Sequence, residues 1–262
     1  MTPTKAPTNE PIDAIYTWAG GEDAILRSSL RSLHKYGPWI RKVYVVTAAE
    51  PPGWLRGDHP RLSVVKHEDL VRDRSALPLS SPDAIAWLLF RIPGLSRQFI
   101  HLDANFFLGS RLEAADFLTP KGGNRFFVED ADIPAGSVAE KLLNSRFGDR
   151  SPRKKTARTP RFVDKNFLEE VNRLWEKPIK QGGVSFETLY FYYLVECPQQ
   201  YGIHEKTAVA GNYRAAPVSD ANQLAGLLFS RPKFFCLDGA ELGFFSRVIL
   251  KLYYWRRSAF EK

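Results

Sequence analysis

The opening apolar pattern predicts a strand: Ile12-Asp13-Ala14-Ile15-Tyr16-Thr17 alternates and is rich in β-formers. Trp18-Ala19-Gly20-Gly21 then turns the chain, and two glycines let backbone approach a ligand or simply close a tight turn. From Glu22 to Tyr36 the period changes. Ile25, Leu26, Ser29, Leu30, Leu33 and Tyr36 recur at spacings of three and four, with Arg27, Arg31 and Lys35 on another face, so this stretch predicts a helix that Gly37-Pro38 ends. Lys42–Thr47 and Leu62–Lys66 predict two more strands, separated by a turn rich in proline (Pro51, Pro52, Pro60). Ser80 or Ser81 can cap the next helix, with Pro82 near its first position. That helix, Asp83–Arg91, is apolar nearly all round and therefore expected to be buried.

After Pro93-Gly94 comes the most informative run. Phe99, Ile100 and Leu102 stop at Asp103-Ala104-Asn105, then apolar residues resume as Phe106-Phe107-Leu108 before Gly109. This predicts a buried strand with a carboxylate at its end. Beyond it the pattern predicts a strand at Arg125–Val128, helices at Ser137–Phe147, Asn166–Trp175 and Phe186–Cys197, a strand at Lys233–Leu237 and a helix at Phe244–Trp255. Strands alternating with helices give an α/β class with a mostly parallel central sheet flanked by helices. Residues 1–10 form a polar tail, and residues 11–262 one domain.

The charge balance of +8 favours an anionic partner without naming it. Arg146, Arg150, Arg153, Lys154, Lys155, Arg158 and Arg161 lie in one stretch opposed only by Asp149, which reads as a mobile basic loop over 146–161. That stretch could hold a polyanion, but no recognised nucleic-acid-binding pattern accompanies it, so no nucleic acid partner is expected. Cys197 and Cys236 are expected to pack as small apolar residues. No window suits a membrane span and residues 1–11 lack the apolar core of a signal peptide, so a cytoplasmic protein is expected. Arg247 and Lys251 on the last helix allow peripheral contact with an anionic membrane, but a core-packed helix with snorkelling basic residues is the expected arrangement.

Candidate chemistry gathers at strand ends. Asp103 and Asn105 are two apart and so point the same way on an extended backbone. They could hold a divalent cation against a diphosphate, or satisfy backbone groups of a turn. Asp13 could contact a nucleotide or cap a neighbour, whereas Asp23 reads as a first-turn helix acid. His67, His101 and His204 are the available histidines, and His101 shares the face of Asp103.

Four ordered segments resemble the Stealth family of capsule and exopolysaccharide phosphotransferases. They are Ile12–Trp18; a long match from Leu30-Arg31-Ser32-Leu33 and Lys35–Thr47 through Trp54-Leu55, His67, Leu77-Pro78, Ala84-Ile85 and Arg91–Ser96 to Gly109; a weaker one from Leu142 to Tyr190; and Phe235–Asp238 with Ser258–Glu261. The resemblance implies a GT-A-like nucleotide-diphospho-sugar transferase fold. It also implies transfer of sugar-1-phosphate from a nucleotide-diphosphate sugar to a glycan or polysaccharide hydroxyl, with Mg²⁺ or Mn²⁺. By the same resemblance Asp13, Trp18, Gly20, Gly21 and Arg31 would hold the nucleotide, Asp103 and Asn105 the metal, and Asp103, Arg158 and Asp238 would serve catalysis.

The departures from the family pattern fall on polar positions. Ala104 replaces a carboxylate, Gly20 a polar turn residue, Arg158 the histidine of a His-x-Pro motif, Gly239 an acid and Ala86 a glutamate, while the apolar framework is kept. A guanidinium cannot act as a base but can clamp phosphate. Two other readings therefore stand beside the phosphotransferase: a scaffold that binds a sugar nucleotide or partner without turnover, and a metal-dependent GT-A glycosyltransferase.

Overall fold

A computed structural model describes residues 10–21, 23–71, 77, 79, 81–120, 123–197, 205–208, 220–237 and 243–262. The first strand, β1 (Ile12–Thr17), lies inside a five-stranded sheet with β2 (Val43–Thr47), β3 (Leu62–Lys66), β4 (Gln98–Asp103) and β8 (Arg161–Asp164). The order is β3-β2-β1-β4-β8, and all neighbours run parallel except β8, which pairs antiparallel with β4. Because β1 and β4 are parallel and in register from Ile12 opposite Gln98 to Thr17 opposite Asp103, their last residues stand side by side. The carboxyl ends of parallel strands are where ligands bind in open α/β sheets.

Alternation along these strands divides the core. Ile12, Ala14 and Tyr16 with Ile100 and Leu102 face the helix Asp23–Tyr36, whereas Ile15, Phe99 and Val163 face the helices Lys165–Leu174 and Phe186–Glu196. His101 and Asp103 share the second face by the same period of two, and the His101 ring packs edge-on to Phe186 at 6.1 Å. Smaller sheets flank the main one. β5 (Phe106–Leu108) pairs antiparallel with β10 (Phe234–Cys236), and β6 (Arg125–Asp132) lies between β7 (Lys154–Thr156) and β9 (Glu205–Ala208). Gly109 is required where β5 meets Pro232, since a Cβ there would sit 2.4 Å from the Pro232 carbonyl oxygen.

Two expectations need correction. The segment Asp83–Arg91 is not one helix but a helix at Pro82–Ala86 followed by a 3₁₀ turn at Leu89–Arg91. The Trp87 carbonyl, which a continuous helix would give to Arg91, accepts instead from Asn172 at 2.9 Å. The basic stretch is not a loose loop: it contains β7 and the start of β8, and Arg153 is buried against Glu196 at 2.6 Å. Lys154 and Lys155 pair with Asp132 and Glu129, so much of the apparent polyanion surface is neutralised internally. The final helix, Phe244–Tyr253, does pack on the core, through Leu250 with Ile249 and Tyr253 partly buried beside it, but only along one side.

Candidate active site

A cleft of about 360 Å³ opens at the carboxyl ends of β1 and β4. It is lined by Thr17, the turn Trp18–Gly21, Ile25 and Leu26 at the start of the first helix, Pro82 and Ile85, and Asp103, Ala104, Asn105 and Arg158. Gly20 and Gly21 have φ of +92° and +104°, a left-handed backbone that side chains strain, and a Cβ on Gly20 would press on Ala49 at 3.3 Å. At Gly20 and Gly21 the turn thus presents only main chain to the cleft.

The Asp103 carboxylate is held from three sides. Thr17 Oγ1 donates to Oδ1 at 3.0 Å, while Arg161 Nη2 and Arg158 Nε lie 3.5 and 3.9 Å from Oδ2. A proton chain orients this arrangement. Arg161 only donates, so at 3.3 Å it makes His101 Nδ1 an acceptor and places the ring proton on Nε2, which faces the Thr17 hydroxyl at 3.3 Å. Thr17 accepts there and donates its own O–H in a hydrogen bond to Asp103. Burial, then Arg161, pushes the His101 pKa down to about 3, so the ring is neutral near pH 7. Burial by itself would raise Asp103, but Arg161, His101, Thr17 and Arg158 together hold its carboxyl below the ordinary value. His101 is 1% exposed and cannot reach a substrate hydroxyl; it positions Asp103 through Thr17.

Arg158 connects the two candidate ligands of the strand end. Its Nη2 points at Asn105 Oδ1 at 3.5 Å, and its guanidinium lies 5.8 Å from the Phe106 ring centroid. The Asn105 amide nitrogen donates to the Leu237 carbonyl at 2.7 Å, tying the cleft wall to the end of β10. Arg161 is also paired with Glu187 on the helix behind the sheet.

Asp103, Asn105, Arg158, Trp18, Gly20 and Gly21 therefore meet in one place. Asp13 and Arg31 do not, which corrects the expectation that they hold nucleotide. Asp13 sits at the opposite end of β1, where Arg41 grips both its oxygens at 2.8 and 2.6 Å and the Ser96 N–H donates at 2.8 Å. Arg31 pairs with Glu261 at 2.7 Å and donates to the Tyr254 carbonyl, on the far side of the first helix. Asp238 and Gly239, like His204, lie outside the described residues. Sequence reasoning missed Thr17 and Arg161. The period of two that links Arg161 with Val163 on β8, and the position of Thr17 opposite Asp103, were the available signals.

The donor set bears on the expected metal. Both Asp103 oxygens face Thr17 or guanidinium groups, and the Asn105 oxygen faces Arg158. No group of three His, Cys, Asp or Glu side chains suited to a metal occurs among the described residues. As arranged, these residues do not fit a preformed divalent site; positive charge already occupies that side of Asp103.

Comparison with known proteins agrees with the architecture. Residues 21–126 match Stealth protein CR2, conserved region 2. The chain is 31% identical over 202 residues to an exopolysaccharide phosphotransferase of Streptomyces coelicolor, covering 62% of this chain and 34% of that protein. It is 29% identical over 244 residues to the exopolysaccharide phosphotransferase CpsY of Mycobacterium leprae, covering 74% of this chain and 45% of that protein. The chain thus spans about a third to under a half of the length of these relatives. Among solved structures, the galactosyltransferase LgtC with donor and acceptor sugar analogs superposes with a TM-score of 0.52 at 10% identity, over 93% of this chain and 95% of that one. The fold is GT-A-like, and residues 21–126 carry the conserved region 2 that names the Stealth family.

Proposed function

We propose that the chain transfers a sugar-1-phosphate from a nucleotide-diphosphate sugar to a glycan hydroxyl in exopolysaccharide or capsule synthesis. The observation that carries this reading is the convergence of Asp103, Asn105 and Arg158 with the Gly20-Gly21 turn in one cleft. Arg158 faces the cleft, 45% exposed, where it can meet diphosphate oxygens bidentately. The main chain of the Trp18–Gly21 turn receives the nucleotide end of the donor. Asp103, oriented by Thr17, accepts a hydrogen bond from the acceptor hydroxyl.

That hydroxyl then attacks the sugar-proximal phosphorus. The new P–O bond forms as the bond to the leaving nucleoside monophosphate breaks, and the hydroxyl proton moves toward Asp103. Phosphoryl transfer of this kind needs charge stabilisation more than a strong base, which fits a site with two guanidiniums and no exposed histidine among its described residues. We assign the stabilising charge to Arg158, with the buried Arg161 holding Asp103 from behind, and Mg²⁺ or Mn²⁺, where required, would have to rearrange them.

Incubating the chain with UDP- and GDP-sugars and an oligosaccharide acceptor should release UMP or GMP. Release of UDP or GDP would identify glycosyl transfer instead, and sugar-nucleotide binding without either product would identify a scaffold. A chelator series in the same assay reports the metal requirement directly.

A further inference from the structure

The most exposed large apolar side chains are not scattered. Phe244, Phe245, Val248, Leu252 and Trp255 on the last helix and its end, with Phe229 on the adjoining helix Ala221–Ser230, account for six of the eight among the described residues. Phe229 is 87% exposed and Phe244 74%. On the inner side, Leu250 and Tyr254 pack with Leu224, Leu228, Phe107 and Phe235, and Tyr254 donates to the Leu108 carbonyl at 2.8 Å, so the helix is fixed with its apolar outer face turned to solvent. Patches of this kind mark interaction surfaces.

Charge selects the partner. Arg247 and Lys251 lie on the same helix, Arg256 and Arg257 follow it, and Arg231 caps the neighbouring one, all exposed. The helix itself holds no acid. Aromatic residues at both ends of a short helix, with basic residues between and beside them, suit the boundary of an anionic bilayer, where rings enter the acyl region and Lys or Arg meet headgroups. A second copy of the chain would oppose these cations to their own kind. At ten residues the helix is about 15 Å long and lies on a membrane rather than crossing it. No helix among the described residues is long and apolar enough to span a bilayer.

We propose that this corner is a peripheral docking face for anionic lipid bilayers. The face lies near the cleft: Leu237, bonded to Asn105, precedes Phe244 by seven residues, a reach of at most about 25 Å. Docking would therefore hold the cleft beside the membrane surface, where an acceptor carried by the membrane is within reach. The docking itself does not depend on the transferase reading.

Co-sedimentation with phosphatidylcholine vesicles, with and without 30 mol% phosphatidylglycerol, tests it directly. The protein should pellet with the anionic vesicles and release as salt rises. Phe245→Ser and Trp255→Ser should each weaken binding about tenfold, and Arg247→Glu with Lys251→Glu should abolish the preference for anionic lipid. These side chains are exposed, so an unchanged melting temperature should accompany the loss. Equal pelleting with both vesicle types, binding unaffected by the variants, or a dimer that the variants dissociate would each overturn the proposal.

Discussion

At the scale of single residues, Arg158 and His101 are opposite uses of polar side chains near one carboxylate. Arg158 faces the cleft and touches Asp103 and Asn105 from outside, so its loss should cost chemistry rather than stability. Arg158→Ala should lower kcat about a hundredfold or more, with at most about 1 kcal/mol lost in denaturant unfolding. His101 is buried and neutral, with a pKa depressed to about 3. The unfolded chain binds this proton below about pH 6.5 and the folded chain does not, so its contribution favours folding above that pH and is lost as pH falls toward 3. Comparing His101→Gln with the parent by thermal melts across pH 3 to 7 should show a shallower acid loss in the variant.

At the scale of elements, β1 carries different duties at its two ends. Asp13 holds Arg41 and the Ser96 backbone at the amino end, away from the cleft, while Thr17 serves Asp103 at the carboxyl end. Asp13→Ala should cost about 1–3 kcal/mol of stability by leaving the buried Ser96 N–H without its acceptor, and leave the donor KM of the folded fraction unchanged. The adjoining turn behaves the other way. Gly20→Val must adopt a φ near +92° against Ala49, so donor affinity measured by calorimetry should fall while the strands survive. A second element-level lock is Glu261, which accepts from Arg31, Arg27 and the Ser258 N–H and ties the end of the chain to the first helix. Burial opposes its charge, but these donors bring its pKa down to about 2. Its stabilisation is therefore present above about pH 4.5 and lost as pH falls toward 2, an acid dependence that Glu261→Gln should remove from the unfolding curve.

At the scale of the whole molecule, one face of the sheet supports the cleft from behind and the other leads to the exposed apolar corner. The buried Arg161 joins the first of these to the site: it bonds His101, approaches Asp103 and pairs with Glu187 of the helix Phe186–Glu196. Ile25 joins the second, lining the cleft while packing on the cluster that carries the last helix. The exposed apolar corner and the cleft are thus separate surfaces. Substitutions at Phe245 should change membrane partition without changing turnover on a water-soluble acceptor.

Local pattern by itself determined the strands Ile12–Thr17 and Leu62–Lys66, the helix ending at Tyr36 and the strand that closes on Asp103, because period, breakers and caps act within a few residues. It also placed the Gly20-Gly21 turn and Asp103 at candidate ligand positions. Only the tertiary structure decided which charges are spent internally. Asp13, Arg31, Arg153 and Arg161 look alike as solvated or ligand-binding groups in a sequence, and each is committed by a partner distant in the chain: Arg41, Glu261, Glu196 and Glu187. The same holds for the last helix. Its amphipathic period is local, but which side meets the core depends on Leu108, Phe235 and Leu224 arriving from elsewhere to cover Leu250 and Tyr254, leaving the aromatic and basic face to the solvent.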